Sequence, residues 1–283
     1  MWDTKFSRGS ASGIRSVHQE FVKSMITAFA GIDVAFAKRK LLPVSVCHWV
    51  DNRLIPLPLR KAQSPPPRGQ GNAAALNSEV VSSFAEATAR YLRAIEIEFC
   101  VRICRIAIDA PSDPKESGQP RRRAEIALDD RKISCITTPS SNEFTRIKEK
   151  AAAHLASGGL ETHIPHTNQL WMLVGFALFK RLRQEWECLE VFPQATAATL
   201  SSAQKHKTTT AGLAEQLKSI ARYTRWPEVL GASALRQIGY GSLHDCLDAY
   251  SAAWIASLGD AGREPLGAPP NDVIWVPRIT KGA

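Results

Sequence analysis

Apolar residues along the chain fall into two kinds of segment, short continuous runs and longer stretches with helical spacing, and the two kinds alternate. Residues 28–36 read Ala-Phe-Ala-Gly-Ile-Asp-Val-Ala-Phe, and residues 103–111 read Ile-Cys-Arg-Ile-Ala-Ile-Asp-Ala-Pro. Apolar, β-branched runs of this length bounded by turn signals predict buried strands. Strands are predicted over residues 27–36, 42–49, 53–59, 103–109 and 187–192, with shorter extended pieces at 133–137 and 273–276. Val80, Val81, Phe84, Ala87, Tyr91, Leu92, Ile95 and Phe99 lie near helical spacing behind a capping Asn77 or Ser78, which predicts a helix to about residue 98. Further helices are predicted over 121–130, 142–157, 166–183, 210–222 and 242–258, and a short one around 16–24. Strands and helices mixed in this order predict an α/β fold with a mixed sheet. Residues 1–27 read as a polar N-terminal extension and 28–283 as one domain. Residues 61–72 hold three prolines and two glycines, so a mobile Pro/Gly-rich loop is expected near 61–75.

The two strongest strands each end on an aspartate, Asp33 and Asp109. A carboxylate in such a run is costly to bury unless it is paired or binds a metal. Two of them converging on one sheet suit a divalent metal site. Glu190 interrupts the apolar run Cys188-Leu189-Glu190-Val191-Phe192 and shares a face with Cys188 and Phe192 by strand alternation. In the predicted 242–258 helix, Asp245 and Asp248 are three apart and share a face. Small residues follow them (Ala249, Ser251, Ala252, Ala253), so this helix can pack closely on a sheet and bring its carboxylates to the strand aspartates. The plainer readings are a solvated acidic first turn for Asp245 and Asp248 and an edge-strand position for Glu190.

Charge moves the picture toward a polyanion partner. Lysine and arginine exceed aspartate and glutamate by 36 to 27, which favours nucleic acid. Lys38-Arg39-Lys40, Arg121-Arg122-Arg123 and Lys205-His206-Lys207 each follow one of the predicted site strands, where they can hold phosphates; Lys38, Arg39, Arg121, Arg122, Arg123, Lys205 and Lys207 are the candidate contacts. Trp49 and Trp171 are able to stack bases, with core packing the simpler role. No apolar run is long enough for a transmembrane helix, and residues 1–20 lack a signal-peptide core, so a cytoplasmic protein without membrane contact is expected. The six cysteines read as free buried thiols. His163-x-x-His166 has zinc-ligand types, but Pro165 lies between them with no third ligand nearby. Ser134-Cys135 and Ser140-Ser141 lack the glycines of a nucleophile elbow.

Five motifs now stand in order: Gly31-Ile32-Asp33, Ile108-Asp109-Ala110-Pro111, Glu190-Val191-Phe192-Pro193, Lys207-Thr208-Thr209-Thr210-Ala211-Gly212 and Asp245-x-x-Asp248-Ala249. Together, over about residues 28–279, they resemble the domain-of-unknown-function family 429, predicted nucleases of the ribonuclease H-like fold. The terminal Asp-x-x-Asp-Ala also resembles the last catalytic motif of RuvC-type Holliday-junction resolvases. The resemblance implies a ribonuclease H-like mixed five-stranded sheet in the order 3-2-1-4-5, flanked by helices, with strands one to three antiparallel. It implies Asp33, Asp109 and Asp248 as primary ligands of two Mg²⁺ or Mn²⁺ ions, with Asp245 and Glu190 as supporting ligands or water-orienting groups. The glutamate that related nucleases carry on the first helix has no clear counterpart, Glu86 and Glu96 being the nearest candidates.

The function expected is metal-dependent hydrolysis of phosphodiester bonds in DNA or RNA. The alternative is a catalytically silent nucleic-acid-binding or assembly subunit on the same fold, with a protein partner or a second copy. A phosphotransferase of the actin and sugar-kinase type needs a glycine-rich phosphate loop after the first strand aspartate, and Val34-Ala35-Phe36-Ala37 offers none.

Overall fold

A computed structural model describes residues 25–279 apart from 205, 206 and 230; the short helix expected around 16–24 and Lys205 lie outside the described residues. Seven strands form one sheet in the order β3-β2-β1-β4-β5-β7-β6. They are β1 (Ile26–Asp33), β2 (Val44–Val50), β3 (Arg53–Pro56), β4 (Val101–Asp109), β5 (Glu187–Val191), β6 (Arg263–Ala268) and β7 (Asp272–Pro277). The helices are α1 (Ser78–Glu98), α2 (Arg123–Asp130), α3 (Ser141–Ala156), α4 (Thr167–Leu182), α5 (Pro193–Thr199), α6 (Thr210–Thr224), α7 (Ala232–Ile238) and α8 (Leu243–Ser257). β1, β2 and β3 pair antiparallel, and β1, β4 and β5 pair parallel. The expected order 3-2-1-4-5 is therefore present, but the sheet has seven strands and not five, because a β6–β7 antiparallel hairpin adds to the β5 edge. Pro265 and Gly267 hide β6 from a reading by hydrophobic runs, and both suit an edge strand.

Strand alternation sends successive side chains to opposite faces, and this chain uses both. Ala28, Ala30 and Ile32 of β1 and Ile106 and Ile108 of β4 face a core shared with α1 and α4. Ala107 of β4 and Leu189 and Val191 of β5 face a second core with α6, α7 and α8. α8 is buried almost all round, as a helix apolar on every side must be. Its backbone crosses β1 at Gly31, where a Cβ would overlap Ala249 O and Ala253 N. Only glycine permits that approach, so Gly31 sets how near α8 comes to the sheet. Tyr250 on α8 donates to Leu54 O at 3.0 Å and ties the helix to β3.

Three local expectations change. The 61–75 segment is pinned: Leu42 N donates to Pro67 O at 2.9 Å and Gly71 N to Phe36 O at 2.8 Å, with Leu41 bridging Arg68. Residues 133–137 make no strand; they run as a loop between α2 and α3. β5 ends at Val191, short of Pro193, and Pro193 begins α5, because proline at a first helical position loses no hydrogen bond. All six cysteines are free, but only Cys47 and Cys246 are buried, and Cys100 and Cys104 are exposed.

Candidate metal centre

Asp33 and Asp109 are directly paired in the β1–β4 register. Parallel partners in register share a face, so Asp33 follows Phe29 and Gly31, and Asp109 follows Arg105 and Ala107, toward α8. Asp248 comes down from the second turn of α8, close because Gly31 lets the helix approach. One carboxylate oxygen from each of Asp33, Asp109 and Asp248 lies within 4.8 Å of the others. Among the described residues this is the one group of three or more metal-ligating side chains so placed.

The electrostatics show what such a cluster costs. Burial first, then the charges of Asp248, Asp109 and Asp245, hold the Asp33 carboxyl well above its ordinary range. Burial and Asp248 push Asp109 up to about 8, with Lys207 pulling the other way. Burial raises Asp248 as well, again opposed by Lys207. The Lys207 ammonium bonds the Asp248 carboxylate; burial works against its charge, but Asp248, Asp109 and Asp33 outweigh burial and raise its pKa. The motif Lys207–Gly212 forms the approach to α6, where Thr209 Oγ1 caps Gly212 N at 3.1 Å, and this positions Lys207. Hard carboxylate oxygens that repel one another and share a single ammonium suit Mg²⁺ or Mn²⁺.

The remaining candidates have other partners. Asp245 forms a capping box with Ser242 and pairs with Lys40 Nζ at 3.0 Å. Burial opposes its charge, but Ser242 and Lys40 prevail and lower its pKa. Glu190 pairs in register with Ile108, not Asp109, so alternation turns it to the opposite face of the sheet from the trio. There Arg122 Nη1 and Nη2 grip its two oxygens at 2.7 and 2.8 Å, and Ser112 N donates at 2.8 Å. Glu190 is thus a structural anchor for the loop after Asp109 and no ligand of the trio. Arg122, also bonded to Asp272 at 3.1 Å, is buried with its guanidinium committed; it is not the phosphate contact expected of it. Glu86 pairs with Arg181 and Arg93, and Glu96 accepts from Ile103 N at 2.7 Å, so neither completes the trio.

The other basic candidates vary in freedom. Lys38 and Arg39 are exposed, Lys38 lying 3.7 Å from Glu161. Arg121 is spent on Asp129 at 3.1 Å and on Cys135. Arg123 is exposed at the start of α2. Lys207 belongs to the carboxylate centre rather than to an open surface. Trp49 is 37% exposed, and Trp171 is half-buried on α4 beside the end of β4. Sequence reading missed the cavity there, because its wall is assembled from six separate segments.

Fold and site define an α/β protein with a carboxylate trio, Asp248 buried and Asp33 and Asp109 half-buried, where two parallel strands and a packed helix meet. The family described as "Protein of unknown function (DUF429)" matches residues 68–272, and the chain belongs to it. The match holds Asp109, Glu190, Lys207, Asp245 and Asp248 and begins beyond β1, so Asp33 precedes it. No curated protein and no solved structure matches the chain. Among the described residues, no helix is long and apolar enough to cross a membrane.

Proposed function

We infer that this protein is a metal-dependent nuclease of the ribonuclease H-like type, acting on the phosphodiester bonds of DNA or RNA. The observation that carries the reading is the convergence of Asp33, Asp109 and Asp248 on one point from β1, β4 and α8. The β3-β2-β1-β4-β5 portion of the sheet and the basic balance of the chain support it. Mg²⁺ or Mn²⁺ held by these carboxylates would supply an activated water and neutralise charge on the phosphate, chemistry suited to in-line displacement. Asp33 and Asp109 from adjacent strands and Asp248 from α8 would hold the ions. Lys207 neutralises Asp248, and its ammonium beside the trio would suit a phosphate oxygen. Glu190 and Arg122 fix the 110–114 loop from below.

Lys207 also favours a second reading. An ammonium already inside the trio suits a catalytically silent nucleic-acid-binding subunit that does without metal.

One experiment separates them. Purified protein is incubated with labelled single- and double-stranded DNA and RNA in Mg²⁺, Mn²⁺ or EDTA, beside Asp33→Asn and Asp248→Asn. Metal-dependent cleavage lost in both folded variants is expected. Salt-sensitive binding without cleavage, and no Mn²⁺ bound to the wild type by calorimetry, sinks the nuclease reading and leaves the binding subunit.

A further inference from the structure

A cavity of about 300 Å³ opens at the carboxyl ends of β4 and β5, with Asp109 in its wall. That is the lower end of the range for small-molecule sites. Its lining is mainly apolar and aromatic: Trp171 and Met172 from α4, Phe192 after β5, Leu128 of α2, Ile274 of β7 and Ile136 from the 131–140 loop. Ile136 is 45% exposed, an apolar side chain left at the mouth. The floor is the Arg122–Glu190 pair, whose polar atoms are already matched.

Beside it lies a second depression with a different lining: Lys115, Thr137, Arg146, Lys150, His166 and Gln169. The loop between them serves both, since Ser134, Cys135, Ile136 and Thr138 line the apolar cavity and Thr137 lines the basic one. Gln169 Nε2 holds Thr137 O at 3.3 Å and fixes that partition. Lys115 is occupied by Glu143 at 2.7 Å. Arg146 and Lys150 are exposed, and their side chains make no hydrogen bond or ion pair with any described residue.

We propose that the cavity beside Asp109 takes one unpaired nucleobase of a single strand, whose neighbouring phosphate runs over Arg146 and Lys150. This rests on the nuclease reading of the same centre and names its substrate as single-stranded nucleic acid. An apolar slot with aromatic walls offers a base a stacking surface. A base reaches such a slot only when it is unpaired and splayed from its neighbours. Charge complementarity across the Ile136–Thr138 rim holds the backbone. A duplex presents phosphates to Arg146 and Lys150 but keeps its bases out of the slot.

The test is fluorescence anisotropy in Ca²⁺ with short labelled single strands of DNA and RNA, the same strands with one base removed, and blunt duplexes of equal length. Single strands are expected to bind about tenfold more tightly than duplexes, and the preference is expected to fall toward unity in Ile136→Glu and in the uncharged, slot-filling Ile136→Trp. Arg146→Glu with Lys150→Glu is expected to flatten the salt dependence by about 0.7 in log–log slope for each phosphate no longer neutralised. Equal affinity for single strand and duplex, or a preference unchanged in both Ile136 variants at unchanged melting temperature, overturns the proposal. Cleavage measured in parallel keeps the two ideas apart. A nuclease that cuts duplex and single strand alike refutes the slot and leaves the nuclease standing. Slot-dependent single-strand binding without cleavage does the reverse.

Discussion

Replacing Asp109 by asparagine isolates the electrostatic cost of the carboxylate trio. The side chain keeps its shape and loses its charge. In the metal-free fold burial and the Asp248 charge push Asp109 up to about 8 from an ordinary 3.8. Between those values the folded state holds a proton that the unfolded chain has released, so wild-type stability falls as pH rises through this window. At ~1.4 kcal/mol per pH unit the ceiling is ~6 kcal/mol. Lys207 and local relaxation reduce what is realised, and a single stabilising substitution commonly returns ~0.5–2 kcal/mol. Asp109→Asn is therefore expected to melt about 2–4 °C above the wild type at pH 8 in EDTA. The gain should shrink as pH falls toward 4, where Asp109 of the wild type is protonated in the fold. Mg²⁺ should then stabilise the wild type and leave the variant unmoved, since only ligands of the native state raise its melting point. Differential scanning fluorimetry over pH 4 to 9, with and without Mg²⁺, reads all three. A variant less stable than the wild type at pH 8 in EDTA, or a gain independent of pH, refutes the reasoning.

Other substitutions probe separate parts of the structure. Lys207→Met leaves the Asp248 carboxylate without its ammonium; metal-free melting should drop by about 3–6 °C and recover with saturating Mn²⁺, while isothermal titration should show tighter Mn²⁺ binding because no ammonium competes. Gly31→Ala forces α8 away from β1; a loss of at least ~1–3 kcal/mol in urea unfolding is expected, together with weaker Mn²⁺ binding, because Asp248 rides on the displaced helix. Arg122→Met strands Glu190 in the interior and should cost ~3–5 kcal/mol, with Mn²⁺ affinity per folded molecule nearly unchanged; a large loss of metal affinity would return Glu190 to the metal centre.

Much of the architecture is legible in the chain. Apolar runs ending at Asp33 and Asp109 mark the two central strands, and helical spacing marks α1, α4 and α8, because buried strands and packed helices must bury one face or more. The small residues after Asp248 already allow that helix to lie close on a sheet. What the chain alone leaves open is register and side. Glu190 looks as well placed as Asp109, yet a one-residue offset in the β4–β5 pairing turns it to the other face, where Arg122 takes it. Arg122 reads as a phosphate contact until burial assigns it to that carboxylate. β7 matches the extended piece expected at 273–276, but β6 escapes because Pro265 and Gly267 interrupt its apolar pattern while backbone pairing with β7 still holds it. The cavity beside Asp109 has no local signature, since its lining comes from the ends of β4 and β5, from α2, α4 and β7 and from the 131–140 loop. Patterns along the chain reflect what each segment buries, whereas which carboxylates meet is decided by pairing partners far apart in sequence.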